Sequence, residues 1–390
     1  MNGKVFKAFI AWLVCAIVCT GAACASTDGI AEQPNKNPHS AVWLDADMIR
    51  SLDSIQRVDA DGYLYEMTVY EDYRNNGILT KINEEIFHGC TAFHAYNDDG
   101  DAITCRNYDC KHGVFDKDGK KTGEYSGVNI LVRCHPEGKY SSIGMADALG
   151  IINGMPEARV GMPDDGMTDI SELAKIPFYT MDGMNEKGLF VCVNKLDLKE
   201  GEKPLRQNAE GKLSITHTQL IRFLLDDCAT VEEAIAHASD FNICVYQNCD
   251  LHLFVSDAAG KAVILEWRYG NLTADEADAA TNFYLSYDDA EEGTPKLEGF
   301  EKNFSYGYGH GYERFNTVVS TLQRYKNEDN VAVLTEKQAK AILMNVAQDV
   351  GTRDTTQTQY SGIYNQTKRS LTLWSYMDYD HRYEFRIQEN

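Results

Sequence analysis

The chain has 390 residues, of which 43% are hydrophobic and 25% charged, with only 8 prolines. That composition excludes disorder and collagen-like repeats and suits a single large mature domain. A formal charge of −22 leaves no basic footprint for a phosphate backbone or an anionic membrane surface, so neither nucleic acid nor bare membrane is an expected partner.

Residues 1–25 differ from the rest. Lys4 and Lys7 form a positive start, residues 8–18 an apolar run too short to span a bilayer comfortably, and Ala23-Cys24-Ala25 a cleavage site of the A-x-A kind. This reads as a secretory signal, whose removal would take the charge from −22 to about −24. The expected location is extracytoplasmic, secreted or periplasmic. Lipidation at Cys24 is the alternative and would give a membrane anchor, but Gly21 stands where such signals usually carry leucine.

Of the 11 cysteines, three lie in the signal, leaving Cys90, Cys105, Cys110, Cys134, Cys192, Cys228, Cys244 and Cys249. An even number in an exported chain invites disulfides. Several nevertheless sit in apolar runs such as Leu189-Phe190-Val191-Cys192-Val193, which reads as a buried small hydrophobe. There is no C-x-x-C and no H-E-x-x-H, so no zinc site, thiol–disulfide motif or other cofactor is expected.

After a polar stretch to about residue 40, Leu44, Met48, Leu52 and Ile55 recur at helical spacing, and residues 63–70 have strand composition. The segment before Cys90 is therefore structured, not mere spacer. Two strand-like runs flank Asn97-Asp98-Asp99-Gly100, a hairpin signal, and further hairpins are predicted at 251–267 and 363–374. Helices are expected around Leu220, Phe223 and Leu224, after a capping box at Thr230-Val231-Glu232-Glu233, along Phe315, Val318, Val319 and Leu322, and from Thr335 to about Ala347. Hairpins with segregated helices predict an α+β fold built on antiparallel sheet.

A two-residue loop at Asp99-Gly100 places Cys90 opposite Asp109, and a shifted turn places it opposite Asn107. Either way the hairpin returns Arg106, Asn107 and Asp109 to the cysteine. A thiol beside a guanidinium and a carboxylate has what a nucleophile needs, although the same residues also read as an Arg–Asp pair next to a buried cysteine. His88, His94 and His112 lie near enough in sequence to suggest a Cys–His pair, without a motif to fix their geometry.

The pattern Cys90-Thr91-Ala92-Phe93, a hairpin, then Arg106-Asn107-Tyr108-Asp109 resembles the opening of the choloylglycine hydrolases, or linear amide C–N hydrolases, within the N-terminal nucleophile hydrolases. Asp182-Gly183-Met184-Asn185-Glu186-Lys187-Gly188-Leu189 is similar to the segment that family places before a strand carrying an active-site asparagine. Asn194 is the available residue, arriving one position early relative to bile salt hydrolases. Thr281-Asn282-Phe283 resembles the second asparagine motif, and Tyr312-Glu313-Arg314-Phe315 the late arginine at a helix start. The resemblance covers 89 to about 385.

It implies an αββα sandwich and a domain at 90–390 freed by cleavage at Gly89-Cys90, as in secreted acid-ceramidase-like and N-acylethanolamine-amidase-like relatives. The leader, 26–89, is then a possible small subunit. The implied substrate is a small N-acyl amide such as a conjugated bile salt, penicillin V, or an N-acyl amino acid or amine. The resemblance also implies that Cys90 is nucleophile and, through its amine, base. Asp109 positions that amine, Arg106 makes the thiol region electropositive, Asn194 and Asn282 donate to the oxyanion, and Arg314 orients Asp109 or Cys90. Acyl transfer on the same fold, or a catalytically silent binding protein, are the rival readings. Tyr306, Tyr308, Tyr312 and Phe315 are candidates for an acyl pocket or for plain packing.

Overall fold

The computed structural model describes residues 44–75, 90–110, 128–148, 151–152, 170–196, 205–245, 250–267, 270–285, 310–349 and 356–388, with the backbone alone at 113–115, 121–125 and 268. The predicted signal, the Gly89-Cys90 bond, His88, His112, Cys249, Tyr306 and Tyr308 lie outside these residues.

Two large sheets carry the architecture. The first has nine strands in the order β1 (Gln56–Arg57), β2 (Leu64–Val69), β7 (Asn129–Cys134), β8 (Ser142–Asp147), β9 (Thr180–Asn185), β10 (Phe190–Leu196), β13 (Asp250–Ser256), β14 (Ala262–Arg268) and β15 (Asn271–Glu276). The second runs β16 (Ala279–Ala280), β3 (Cys90–Asn97), β4 (Ala102–Cys110), β18 (Gln357–Asn365), β19 (Ser370–Ser375) and β20 (Tyr383–Arg386), with β17 (Val333–Leu334) also on β3. Two small ladders pair β5 (Gly113–Phe115) with β6 (Lys121–Tyr125) and β11 (Ser214–Ile215) with β12 (Asn242–Ile243). In the large sheets the pairings are antiparallel except β2 with β7 and β17 with β3.

Helices cover the outer faces. α2 (His217–Asp227) and α3 (Val231–Ala238) pack on the nine-stranded sheet, while α4 (Gly311–Arg324) and α5 (Glu336–Asn345) pack on the other. α1 (Ala46–Asp53) lies on β2 and on a 3-10 segment, Ser171–Tyr179. The main apolar cluster draws Leu131, Met145, Phe190 and Leu253 from one sheet and Ala92, Tyr360, Tyr364 and Leu371 from the other, so it fills the space between them. Sheets with one face on this core and the other under helices give the expected layering.

Several predicted elements differ in detail. The β3–β4 hairpin pairs Tyr96 with Ala102 and closes on Asn97 and Asp101, so its loop spans 98–100. Gly100, at φ +85°, supplies the left-handed residue that such a three-residue loop requires. The register therefore shifts, and Cys90 faces Tyr108, with neither Asp109 nor Asn107 opposite it. At α3, Thr230 Oγ1 accepts from the Glu233 N–H, but the Glu233 carboxylate turns to the Ala229 N–H, so the predicted box is only half made. Complete boxes occur at Thr216–Gln219 and Thr335–Gln338. The seven cysteines among the described residues are buried thiols, not disulfides.

Candidate active site

Cys90 opens β3, and its side chain is almost wholly buried at 1% exposure. Since side chains alternate along a strand, Ala92 and the facing Arg106 and Tyr108 share the cysteine's face, while Thr91 and Asn107 share the other. The first face meets the nine-stranded sheet and the second meets α4 and α5.

On the thiol face, Arg106 is fully buried and each of its donors has a fixed task. Nε donates to Asp182 Oδ2 (3.2 Å), Nη1 to Asn194 Oδ1, and Nη2 to the Val193 carbonyl oxygen (2.7 Å). Asp182 also accepts from the hydroxyls of Tyr360 (2.5 Å) and Tyr364. A buried guanidinium needs this counter-charge, because an uncompensated charge in the interior costs several kcal/mol, on the order of 3–5. Burial pushes the Cys90 thiol up to about 11. Arg106 opposes that rise, while Asp109 and Asp182 add to it.

Asn194 carries the most informative vacancy in hydrogen bonding. Its oxygen accepts from Arg106, yet its amide nitrogen, buried in a residue with 0% exposure, has no acceptor among the described residues. Leaving a buried donor unmade costs about 1–3 kcal/mol. Asn185, at the far end of the adjacent strand β9, shows the contrast. Its Nδ2 donates to Leu225 and Cys228 carbonyls, and its Oδ1 accepts from Lys187 and Leu189 N–H groups. Asn185 ties the β9–β10 turn, where Gly188 takes φ +84° and an added Cβ would strike the Gln366 carbonyl.

The backbone of Cys90 is held from the other side. Its nitrogen donates to Asn282 Oδ1 (2.9 Å), and its carbonyl oxygen accepts from Arg314 Nη1 (2.8 Å). Arg314, near the start of α4, also donates to Thr91 Oγ1 and to Asn282 Oδ1 (2.5 Å), and Nη1 stands 3.7 Å from Asp109 Oδ2. Asp109 Oδ1 accepts from Thr358 Oγ1 (2.6 Å). Asn282 Nδ2 donates to the Lys195 carbonyl (2.8 Å). One of its two amide hydrogens is thus taken by backbone, and its oxygen offers Cys90 an acceptor for the nitrogen.

The other five predicted residues, Arg106, Asp109, Asn194, Asn282 and Arg314, lie around Cys90, directly or through one neighbour. Asp182, Tyr360, Tyr364, Thr91 and Thr358 were not singled out. The signal for Asp182 was available, since Arg106 in an apolar β4 demands a carboxylate. Asn107 points away, between the Leu343 carbonyl and the Ser361 hydroxyl. His94 lies buried beside Thr104, and burial lowers it to about 4, which leaves it neutral at pH 7. Tyr312 and Phe315 pack edge-on against Phe283, next to Asn282.

Residues 90–278 match the family model of linear amide C–N hydrolases, choloylglycine hydrolase family. The match spans just under half of the chain, from the predicted nucleophile onward. The protein is accordingly a hydrolase acting on C–N bonds of linear amides, and its α+β sandwich is that of the N-terminal nucleophile hydrolases. A variant of the conjugated bile acid hydrolase from Clostridium perfringens is 18% identical, with a TM-score of 0.50 over 76% of this chain and 92% of that one. Penicillin V acylase from Agrobacterium tumefaciens is 18% identical over 73% and 83%, with a TM-score of 0.44. A Caenorhabditis elegans ortholog of N-acylethanolamine-hydrolyzing acid amidase is 16% identical over 71% and 93%, with a TM-score of 0.38. No curated protein matches the chain by sequence.

Proposed function

We propose that this choloylglycine hydrolase relative is exported, cuts itself between Gly89 and Cys90, and then hydrolyses a small N-acyl amide through a thioester on Cys90. In the first event the Cys90 thiol attacks the Gly89 carbonyl, the acyl group passes from nitrogen to sulfur, and water releases the Gly89 carboxylate and a free Cys90 amine. That amine, with a reference pKa of about 7.7–8.0, takes the thiol proton and needs no histidine. The thiolate adds to the substrate carbonyl, and the tetrahedral oxyanion accepts a hydrogen bond from Asn194 Nδ2. Collapse expels the substrate amine with the transferred proton, and water then opens the thioester to the free acid.

Arg106 holds Asn194 by its oxygen, so that the amide N–H group is presented to the site. Asn282 positions the Cys90 nitrogen, and Arg314 fixes the Cys90 carbonyl with Asp109 behind it. The observation that carries the reading is the engagement of the Cys90 nitrogen, the atom that would become the base, by Asn282 within an Arg314 clamp. Conjugated bile salts, penicillin V, N-acyl amino acids and N-acylethanolamines form the substrate panel. The test is intact mass and amino-terminal sequencing of exported protein, with hydrolysis of that panel on the same material. Two fragments, one beginning at Cys90, are expected. A single uncut species with full amidase activity would refute the scheme.

A further inference from the structure

Asn282 has to be held still if it is to present its oxygen to the Cys90 nitrogen. The turn that carries it, 281–285, is gripped at both ends by one buried pair. His252, on β13, directs Nε2 to the Thr281 carbonyl oxygen (2.8 Å) and Nδ1 to Glu266 Oε1 (3.0 Å) on β14. The same Glu266 oxygen accepts from the Leu285 N–H (2.8 Å). Both residues are fully buried. A carbonyl oxygen only accepts, so Nε2 carries a proton, and Nδ1 shares a second one with the carboxylate.

The turn is closed from its outer side as well. Thr281 Oγ1 donates to the Gly311 carbonyl (2.7 Å) at the start of α4, and a Cβ on Gly311 would come within 3.1 Å of the Asn282 nitrogen. His252 also stands directly across β10–β13 from Asn194. One imidazole thus neighbours both asparagines of the site.

We propose that His252 and Glu266 are positioning residues for hydrolysis: their hydrogen-bonded pair clamps both ends of the 281–285 turn and so sets Asn282 on the Cys90 nitrogen. The inference rests on Cys90 being the nucleophile. Misplacing a catalytic group by about 1 Å costs on the order of 100-fold in rate, so the clamp should be visible in turnover more than in substrate binding.

The two carboxamide variants of His252 separate this from simple core packing. Glutamine places its amide nitrogen near the position of Nε2 and can keep the Thr281 bond. Asparagine is too short to do so, yet it buries the same polar group. On processed protein, His252→Asn is expected to lower kcat by about 10- to 100-fold with KM unchanged, and His252→Gln to recover most of that loss. Thermal unfolding of each variant corrects for folded fraction. Equal kcat in the two variants, or losses that follow unfolding alone, would overturn the proposal. Wild-type protein that is cut yet inactive on every amide would overturn the hydrolase scheme itself, a result distinct from an active wild type indifferent to His252.

Discussion

Asn194 and Asn185 are both fully buried asparagines on neighbouring strands, and replacing each by leucine should have opposite consequences. Leucine has the branched heavy-atom skeleton of asparagine and is larger, so neither change opens a cavity, and each adds an overpacking cost of about 1 kcal/mol or more. At Asn194 the substitution removes a bond from Arg106, worth about 1.5–3 kcal/mol, and also removes a buried donor without an acceptor, whose penalty is about 1–3 kcal/mol. The two nearly cancel, and Arg106 keeps Asp182 and the Val193 carbonyl. Folding should change by only about 1–2 kcal/mol, a few degrees in Tm for a chain of this size. Catalysis loses one oxyanion donor, about 2.7–4 kcal/mol, or roughly 100- to 1000-fold in kcat. At Asn185 the leucine breaks four satisfied bonds at about 1 kcal/mol each, so Tm should fall steeply while kcat per folded molecule holds. Thermal unfolding and steady-state hydrolysis on the same preparations decide it. An Asn194→Leu protein with kcat within about fivefold of wild type would refute the oxyanion assignment, as would an activity loss no larger than its loss of folded protein.

Cys90→Ser is expected to lose most turnover in any assay of amide hydrolysis, because a hydroxyl is a far poorer nucleophile, whereas Cys105→Ser, away from the site, should keep its kcat. Asp109→Asn should be processed and folded, retaining the Thr358 bond, but should turn over slowly because the charge facing Arg314 is gone; cleavage, Tm and hydrolysis must be scored on one preparation. Glu71, raised by burial from 4.5 to about 7, favours the folded state when protonated. Its contribution is complete below about pH 4.5 and is lost as pH rises through 7, so Glu71→Gln should abolish a decline of about 3 kcal/mol between pH 4.5 and 8 in denaturant titrations.

The helix faces, the three hairpins and the leader's helix and strand were readable because each is a local pattern of apolar spacing, turn residues and caps. The site was readable only as an inventory. A one-residue difference in the β3–β4 loop changes which side chains face Cys90, and nothing in Asn97-Asp98-Asp99-Gly100 distinguishes a two-residue from a three-residue turn until the strands pair. Arg106 signals that some buried carboxylate is needed, but that it is Asp182 depends on Arg106, Tyr360 and Tyr364, which are distant in sequence and meet only between the sheets. The orientation of Asn282 likewise depends on the Lys195 carbonyl, which no motif specifies. Glu233 shows the same limit locally, because a capping-box sequence leaves open whether its carboxylate chooses residue 229 or 230.

The leader's place in the fold bears on what cleavage before Cys90 would change. β2 lies between β1 and β7, with Leu64 and Met67 fully buried, and Tyr73 and Arg74 reach across to Asp226 at 2.9 and 3.0 Å. None of these contacts passes through residues 76–89, so on the proposed scheme a cut at Gly89 severs the chain without removing the strand. The apolar area between β2 and β7 would then hold the fragment, because each buried large apolar side chain contributes about 1.5–3 kcal/mol. The site also keeps its geometry, since Asn282 and Arg314 already grip the nitrogen and carbonyl of Cys90 in the intact chain. The thiol is different. With burial holding it near 11, Arg106 alone does not make it a thiolate at neutral pH. On the proposed scheme, cleavage would therefore add a free amine beside the sulfur to a site whose other groups are already placed.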